Sequence, residues 1–239
     1  MFPLRDNVPS RQLPVVTIGI VLVNVIVFLL EVFMGSEANA LAELFGVVPA
    51  QLTSEWRNPL VLGTLVSSMY LHGGWAHLIG NMWYLWIFGD NVEDRMGRVR
   101  FFIFYTLCGL VAGLLQVAAA PRSSIPMIGA SGAIAGVLGA YLVLYPRARV
   151  STLVPLFYFI RIVWLPAVVV LGGWFLIQLL NGLASLSVVM QTGGVAWWAH
   201  IGGFVAGIVL VFLFRRADRR PPSPTYESRS RYGGFEPRW

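Results

Sequence analysis

Six stretches of this chain stay apolar long enough to cross a lipid bilayer: about 14–35, 69–89, 99–119, 128–146, 163–184 and 195–214. A spanning helix needs roughly 20 consecutive apolar residues, so each stretch reads as one helix. The connections are short except at 36–68, where the Ala40–Phe45 run and the Trp56-Arg57 pair predict short amphipathic pieces lying at the interface. The 185–196 connection is uncharged and contains Gly193-Gly194; it reads either as a plain connector or as a mobile cap over a site. The predicted fold is an all-α membrane protein, a bundle of six transmembrane helices. Residues 1–13 form an N-terminal cytoplasmic segment, 14–214 the membrane domain, and 215–239 a basic tail. That tail, with Pro221-Pro222-Ser223-Pro224, cannot bury a core and reads as disordered.

Composition agrees with a lipid environment. Mean hydropathy is +0.71 and only 12% of residues are charged, against about a quarter in soluble domains. The net charge of +6 reports orientation rather than a nucleic-acid partner, because every basic residue is Arg and the arginines segregate. Arg5 and Arg11 precede the first span, Arg95, Arg98 and Arg100 separate the second from the third, Arg147, Arg149 and Arg161 the fourth from the fifth, and Arg215, Arg216, Arg219 and Arg220 follow the sixth; the opposite loops hold only Arg57 and Arg122. Positive loops face the cytoplasm, so both termini are expected there. The first apolar stretch is of full spanning length and lacks a small-residue cleavage site, so it reads as a retained span. Cys108 stands alone, which excludes an internal disulfide and leaves a buried structural thiol. Arg-only usage and the lack of a transit peptide point to a bacterial cytoplasmic membrane. No feature of the sequence speaks to an oligomeric state.

Polar residues inside a membrane are costly and become candidates for function. Counting about 1.5 Å per residue from the arginine-rich boundaries, Asn81 lies roughly 21 Å, Ser131 roughly 24 Å, His200 roughly 22 Å and His77 roughly 27 Å deep. In a core about 30 Å thick, all four fall in its outer part. Glycines recur four apart beside them, Gly132 and Gly136 in the fourth span and Gly203 and Gly207 in the sixth, a spacing that lets helix backbones approach closely in lipid. Such an approach would put Ser131 and His200 within hydrogen-bonding reach.

Taken alone, each residue has a plain reading: Ser131 as a helix cap, His200 as a structural histidine, Asn81 as an interhelical bond, His72-Gly73-Gly74 as an interfacial turn. Their shared depth favours chemistry. Serine becomes a nucleophile when a base takes its proton, and histidine has the suited pKa. No Asp or Glu lies in the outer half of the second, fourth, fifth or sixth span, and Glu31 reads as interfacial, so the expectation is a Ser131–His200 dyad. The Asn81 amide, the His77 ring and the Ser131 backbone N–H are candidate donors for an oxyanion. Gly129-Ala130-Ser131-Gly132-Ala133 is not the G-x-S-x-G elbow, which needs a preceding strand. The chemistry calls for no cofactor or metal.

The motifs that carry these residues resemble the rhomboid intramembrane serine proteases: His72-Gly73-Gly74-Trp75-Ala76-His77-Leu78-Ile79-Gly80-Asn81, Gly129-Ala130-Ser131-Gly132, and Ala199-His200-Ile201-Gly202-Gly203 leading to Gly207. Gly89–Gly97 and Trp56-Arg57 are similar to further family features, and the resemblance covers roughly 14–214. It implies Ser131 as nucleophile, His200 as base, His77 and Asn81 as oxyanion contributors, and His72 as support for loop and water access. It implies substrates that are transmembrane proteins, met within the bilayer on the extracytoplasmic side, and a small residue before the cut. One position departs: some members carry an aromatic residue four after the serine that stacks on the imidazole, and here it is Ala135. Trp197 and Trp198 are the alternative neighbours for the ring, or interfacial anchors. Two other classes compete. A catalytically dead, membrane-protein-binding relative would have lost Ser or His, and both are present. A transporter would show inverted repeats and broken helices, which the sequence lacks.

Overall fold

The computed structural model describes residues 2–156, 159–186 and 195–216. Residues 187–194 of the cap or connector at 185–196, and the basic tail from 217, lie outside these residues. In chain order the elements are β1 (Phe2–Asp6), α1 (Val15–Met34), α2 (Ala38–Phe45), α3 (Pro49–Ser54), α4 (Pro59–Ser67), α5 (Trp75–Met96), α6 (Arg98–Ala119), α7 (Ser131–Leu144), β2 (Arg149–Leu156), β3 (Phe159–Pro166), α8 (Ala167–Ser185) and α9 (Trp197–Phe214). The molecule is a helical membrane bundle, as expected. Among the described residues, α1, α6, α8 and α9 are each long and apolar enough to cross a bilayer.

The helices are amphipathic in the sense that lipid demands. On α1, Leu22, Ile26, Leu29 and Phe33 form an exposed apolar stripe, while Thr17, Asn24 and Glu31, seven apart, are buried. Buried polar groups need partners. Thr17 donates from both its backbone N–H and its hydroxyl to one carboxylate oxygen of Glu93 on α5, at 2.8 Å each, and Val16 N–H donates to the other. An acid from a neighbouring helix thus satisfies N–H groups that the start of α1 leaves open.

α7 is the hub. Its 14 residues extend about 21 Å, well short of a bilayer core of about 30 Å, yet 11 of them are buried by surrounding helices. Phe88, Phe101, Phe104, Tyr105, Leu138 and Tyr141 fill the core around its lower half. Ser131 is the first residue of this short helix. α5 turns directly into α6 at Gly97, whose φ of 79° only glycine adopts readily.

At the arginine-bearing end the structure adds something the hydropathy pattern does not predict: a three-stranded antiparallel sheet in the order β1-β2-β3. Residues 1–13 and 147–161, expected as a segment and a loop, pair with each other, and the fifth span, expected from 163, begins as a helix only at Ala167 after Pro166. β1 is fixed to the bundle by Trp83 Nε1, which donates to the Pro3 carbonyl at 2.7 Å, and by Asp6. The Asp6 carboxylate accepts from Tyr141 Oη at the foot of α7 and from Asn91 Nδ2 on α5.

Burial pushes the Asp6 carboxyl up from 3.8 to about 6, with the Tyr141 bond opposing. The folded chain therefore holds a proton that the unfolded chain has released, and the fold is stabilised on the acid side of that window. Stability contributed by this group falls as pH rises from about 4 to about 6, by about 3 kcal/mol in all. The melting temperature of detergent-solubilised protein is expected to rise between pH 7 and pH 5, and Asp6→Asn to flatten that rise. An identical pH profile in the variant would show that Asp6 is not its source.

Candidate active site

The fold carries Ser131 to the upper end of α7 and His200 to the first turn of α9, and brings them together. Ser131 Oγ lies 2.8 Å from His200 Nε2. The imidazole is 9% exposed and the serine partly buried. The contact exists because the two helices touch through backbone. A Cβ at Gly203 would overlap the carbonyl oxygen of Gly132, and one at Gly207 would overlap that of Gly136. The two glycine pairs seen in the sequence thus face each other across one interface.

The chain enters α7 through Gly129, with φ 122°. Its N–H donates to the Ser68 carbonyl at 2.8 Å. A Cβ there would stand 2.6 Å from Nε2 of His77 and 3.7 Å from Nδ2 of Asn81. The His77 ring and the Asn81 amide, one turn apart on α5, therefore lie against the backbone two residues before Ser131. His77 Nδ1 accepts from the Gly73 N–H at 3.4 Å, which leaves the Nε2 edge as the donor facing Gly129. Asn81 Nδ2 is 3.0 Å from His72 Nε2, and the His72 ring stands edge-on to His77 with centroids 5.0 Å apart. His72 thus supports the layer from behind.

Glu31, expected as an interfacial residue, is buried against the loop that precedes α5. It is 5% exposed, and its carboxylate accepts from the His72 N–H at 3.2 Å. The loop before α5 runs along α1, where its N–H finds no water, so an acceptor must be built in.

Two amides complete the site. His200 Nδ1 is 2.7 Å from Oε1 of Gln178 on α8, and the Ala199 N–H donates to Oε1 of Gln116 on α6 at 3.2 Å. Neither Gln178 nor Gln116 is among the residues expected from the sequence, where only charged groups stand out as partners for the histidine. The signal was there, since an amide in an apolar span is itself costly. The ring is further bracketed by Trp174, tilted 37° with centroids 5.7 Å apart, and by the edge of Trp197 at 6.4 Å. Ala135 is buried and offers no ring. Beside Ser131 a cavity of about 20 Å³ opens among Met69, Gly109, Met127, Gly132 and Ala199. That is room for one water or a methyl-sized group.

The family profile described as "Rhomboid domain" matches residues 56–217. The chain belongs to the rhomboid family. The family is one of intramembrane proteases, generally of the serine type, and its matched region holds every polar residue of the site except Glu31. The rhomboid chain is 28% identical over 192 residues to "RHOMBOID-like protein 6, mitochondrial" of Arabidopsis thaliana, covering 76% of this chain and 52% of that protein. It is 36% identical over 118 residues to "Rhomboid protease GluP" of Bacillus subtilis, covering 48% and 21%. It is 30% identical over 114 residues to "Putative rhomboid protease YdcA" of the same organism, covering 44% and 57%. The chain spans about half the length of the Arabidopsis relative.

Proposed function

We propose that this chain is a serine endopeptidase that hydrolyses a peptide bond in or next to a transmembrane segment of another membrane protein. The observation that carries the reading is the 2.8 Å contact between Ser131 Oγ and His200 Nε2 inside the bundle. His200 Nε2 takes the hydroxyl proton as Oγ adds to the carbonyl carbon. The developing oxyanion meets the Ser131 N–H in the first turn of α7, where no side chain caps the helix, together with the His77 Nε2 edge and the Asn81 amide. His200 then returns the proton to the leaving amine, the C–N bond breaks, and a water activated by the same ring hydrolyses the ester.

A substrate helix hides its carbonyls in its own hydrogen bonds. Local unwinding must precede attack, so Gly or another helix-weakening residue near the cut favours reaction. The cavity of about 20 Å³ beside Ser131 suits a small side chain before the cut. We place the site toward the extracytoplasmic side of a bacterial cytoplasmic membrane, opposite the arginine-rich loops.

A fluorophosphonate probe is expected to label purified protein and not Ser131→Ala, and the unmodified protein to cleave single-span test substrates. Absence of both labelling and cleavage would refute the proposal.

A further inference from the structure

Each edge of the His200 ring has one partner: Ser131 Oγ at Nε2 and Gln178 Oε1 at Nδ1. A neutral imidazole has one N–H and one lone pair, and an amide carbonyl oxygen only accepts. Nδ1 therefore carries the proton, and Nε2 is bare toward the hydroxyl it must deprotonate. The opposite tautomer would present N–H to Ser131, could not take its proton, and would set the bare Nδ1 against the Gln178 carbonyl oxygen.

We propose that Gln178 is the positioning residue of the Ser131–His200 pair, fixing from α8 both the tautomer and the angle of the ring. This rests on the reading of Ser131 and His200 as the reacting groups. Gln178 is 6% exposed, so water does not compete for its carbonyl. Trp174, one turn earlier on the same face, packs against the ring. Gly182, one turn later, allows the approach: a Cβ there would stand 2.9 Å from Ile201 Cδ1 on α9. A strip of α8 is thus shaped to bring one amide to one imidazole nitrogen, while Leu176, Ile177, Leu180 and Leu183 around it are exposed. A consequence is that the dyad is competent only while α8 is seated on α9.

Gln178→Leu is expected to lower kcat on the order of a hundredfold, with KM within about twofold of the unmodified value, because binding is untouched and only the base is misdirected. Fluorophosphonate labelling should slow in parallel. Gln178→Glu keeps an acceptor and should stay within about tenfold of the parent. The chain has 3 histidines, so ring ¹⁵N spectra can be assigned, and His200 in the unmodified protein should show a protonated Nδ1 and a bare Nε2. Overturning results are a Leu variant with unchanged kcat, a Glu variant as slow as the Leu variant, or an Nε2-protonated ring in the parent. The last measurement decides even if Gln178→Leu does not fold. Failure of the parent to label would instead overturn Ser131 as nucleophile, so the two failures are separable.

Discussion

His200→Ala and Ser131→Ala are each expected to lower turnover of a cleavable single-span substrate by on the order of 10⁴-fold or more, and the double variant to be no slower than either single one. The reason is that the two groups do one job. A serine hydroxyl without an acceptor for its proton is nearly as inert as a missing hydroxyl, so the second deletion finds nothing left to remove. Independent contributors would behave differently, their losses multiplying. Residual activity over the uncatalysed reaction should survive in all three, since the Ser131 N–H, His77 and Asn81 still face the carbonyl oxygen. Helicity should persist in His200→Ala, because α9 is held by Gly203 and Gly207 against α7 rather than by the ring. Losses that multiply in the double variant, or near-normal turnover in His200→Ala, would reject the dyad.

What could be read from the sequence divides along a physical line. Bilayer thickness and the cost of polar groups in lipid act on every residue in a span, so a helical membrane bundle and the polar residues Ser131, His200, Asn81 and His77 within it are legible from spacing alone. The glycines at 132, 136, 203 and 207 were visible for the same reason: close approach in lipid leaves a pattern of period four. The sheet was not visible, because β1 pairs with residues almost 150 positions away and each strand is too short to stand out from the apolar runs beside it. Phe159–Pro166 in particular merges with the fifth span, and only Pro166 marks the break. The partner of Glu31 is not legible because a carboxylate near the end of a span has two ways to avoid hydrocarbon, the headgroups or a backbone N–H. Nothing local says which, and the path of the loop past His72 decides. Gln178 is not legible in the sequence because an uncharged amide partner leaves no charge pattern, and only the packing of α8 on α9 brings it to His200.

Gly203→Ala should lower turnover by about a hundredfold, although it touches neither reacting group. Alanine is favoured over glycine within a helix by up to about 1 kcal/mol, so local propensity predicts a gain. The interface predicts the opposite. The new methyl would overlap the Gly132 carbonyl oxygen, a backbone atom that can yield only if α7 and α9 separate. Gly132 follows Ser131 directly and Gly203 lies one turn below His200, so the separation falls at the reacting pair. Adding about 1 Å to the 2.8 Å Ser131–His200 distance takes it beyond hydrogen-bonding range. A misplacement of that size costs about a hundredfold in rate. Gly207→Ala, a further turn away, should cost comparable stability but less kcat. Gly172→Ala and Gly173→Ala on α8, where a Cβ meets nothing within 4 Å, should leave kcat unchanged and show only the propensity gain in stability, and so control for the change of residue type. Turnover and fluorophosphonate labelling at parental rates in Gly203→Ala would mean that backbone contact between α7 and α9 does not set the distance on which the chemistry depends.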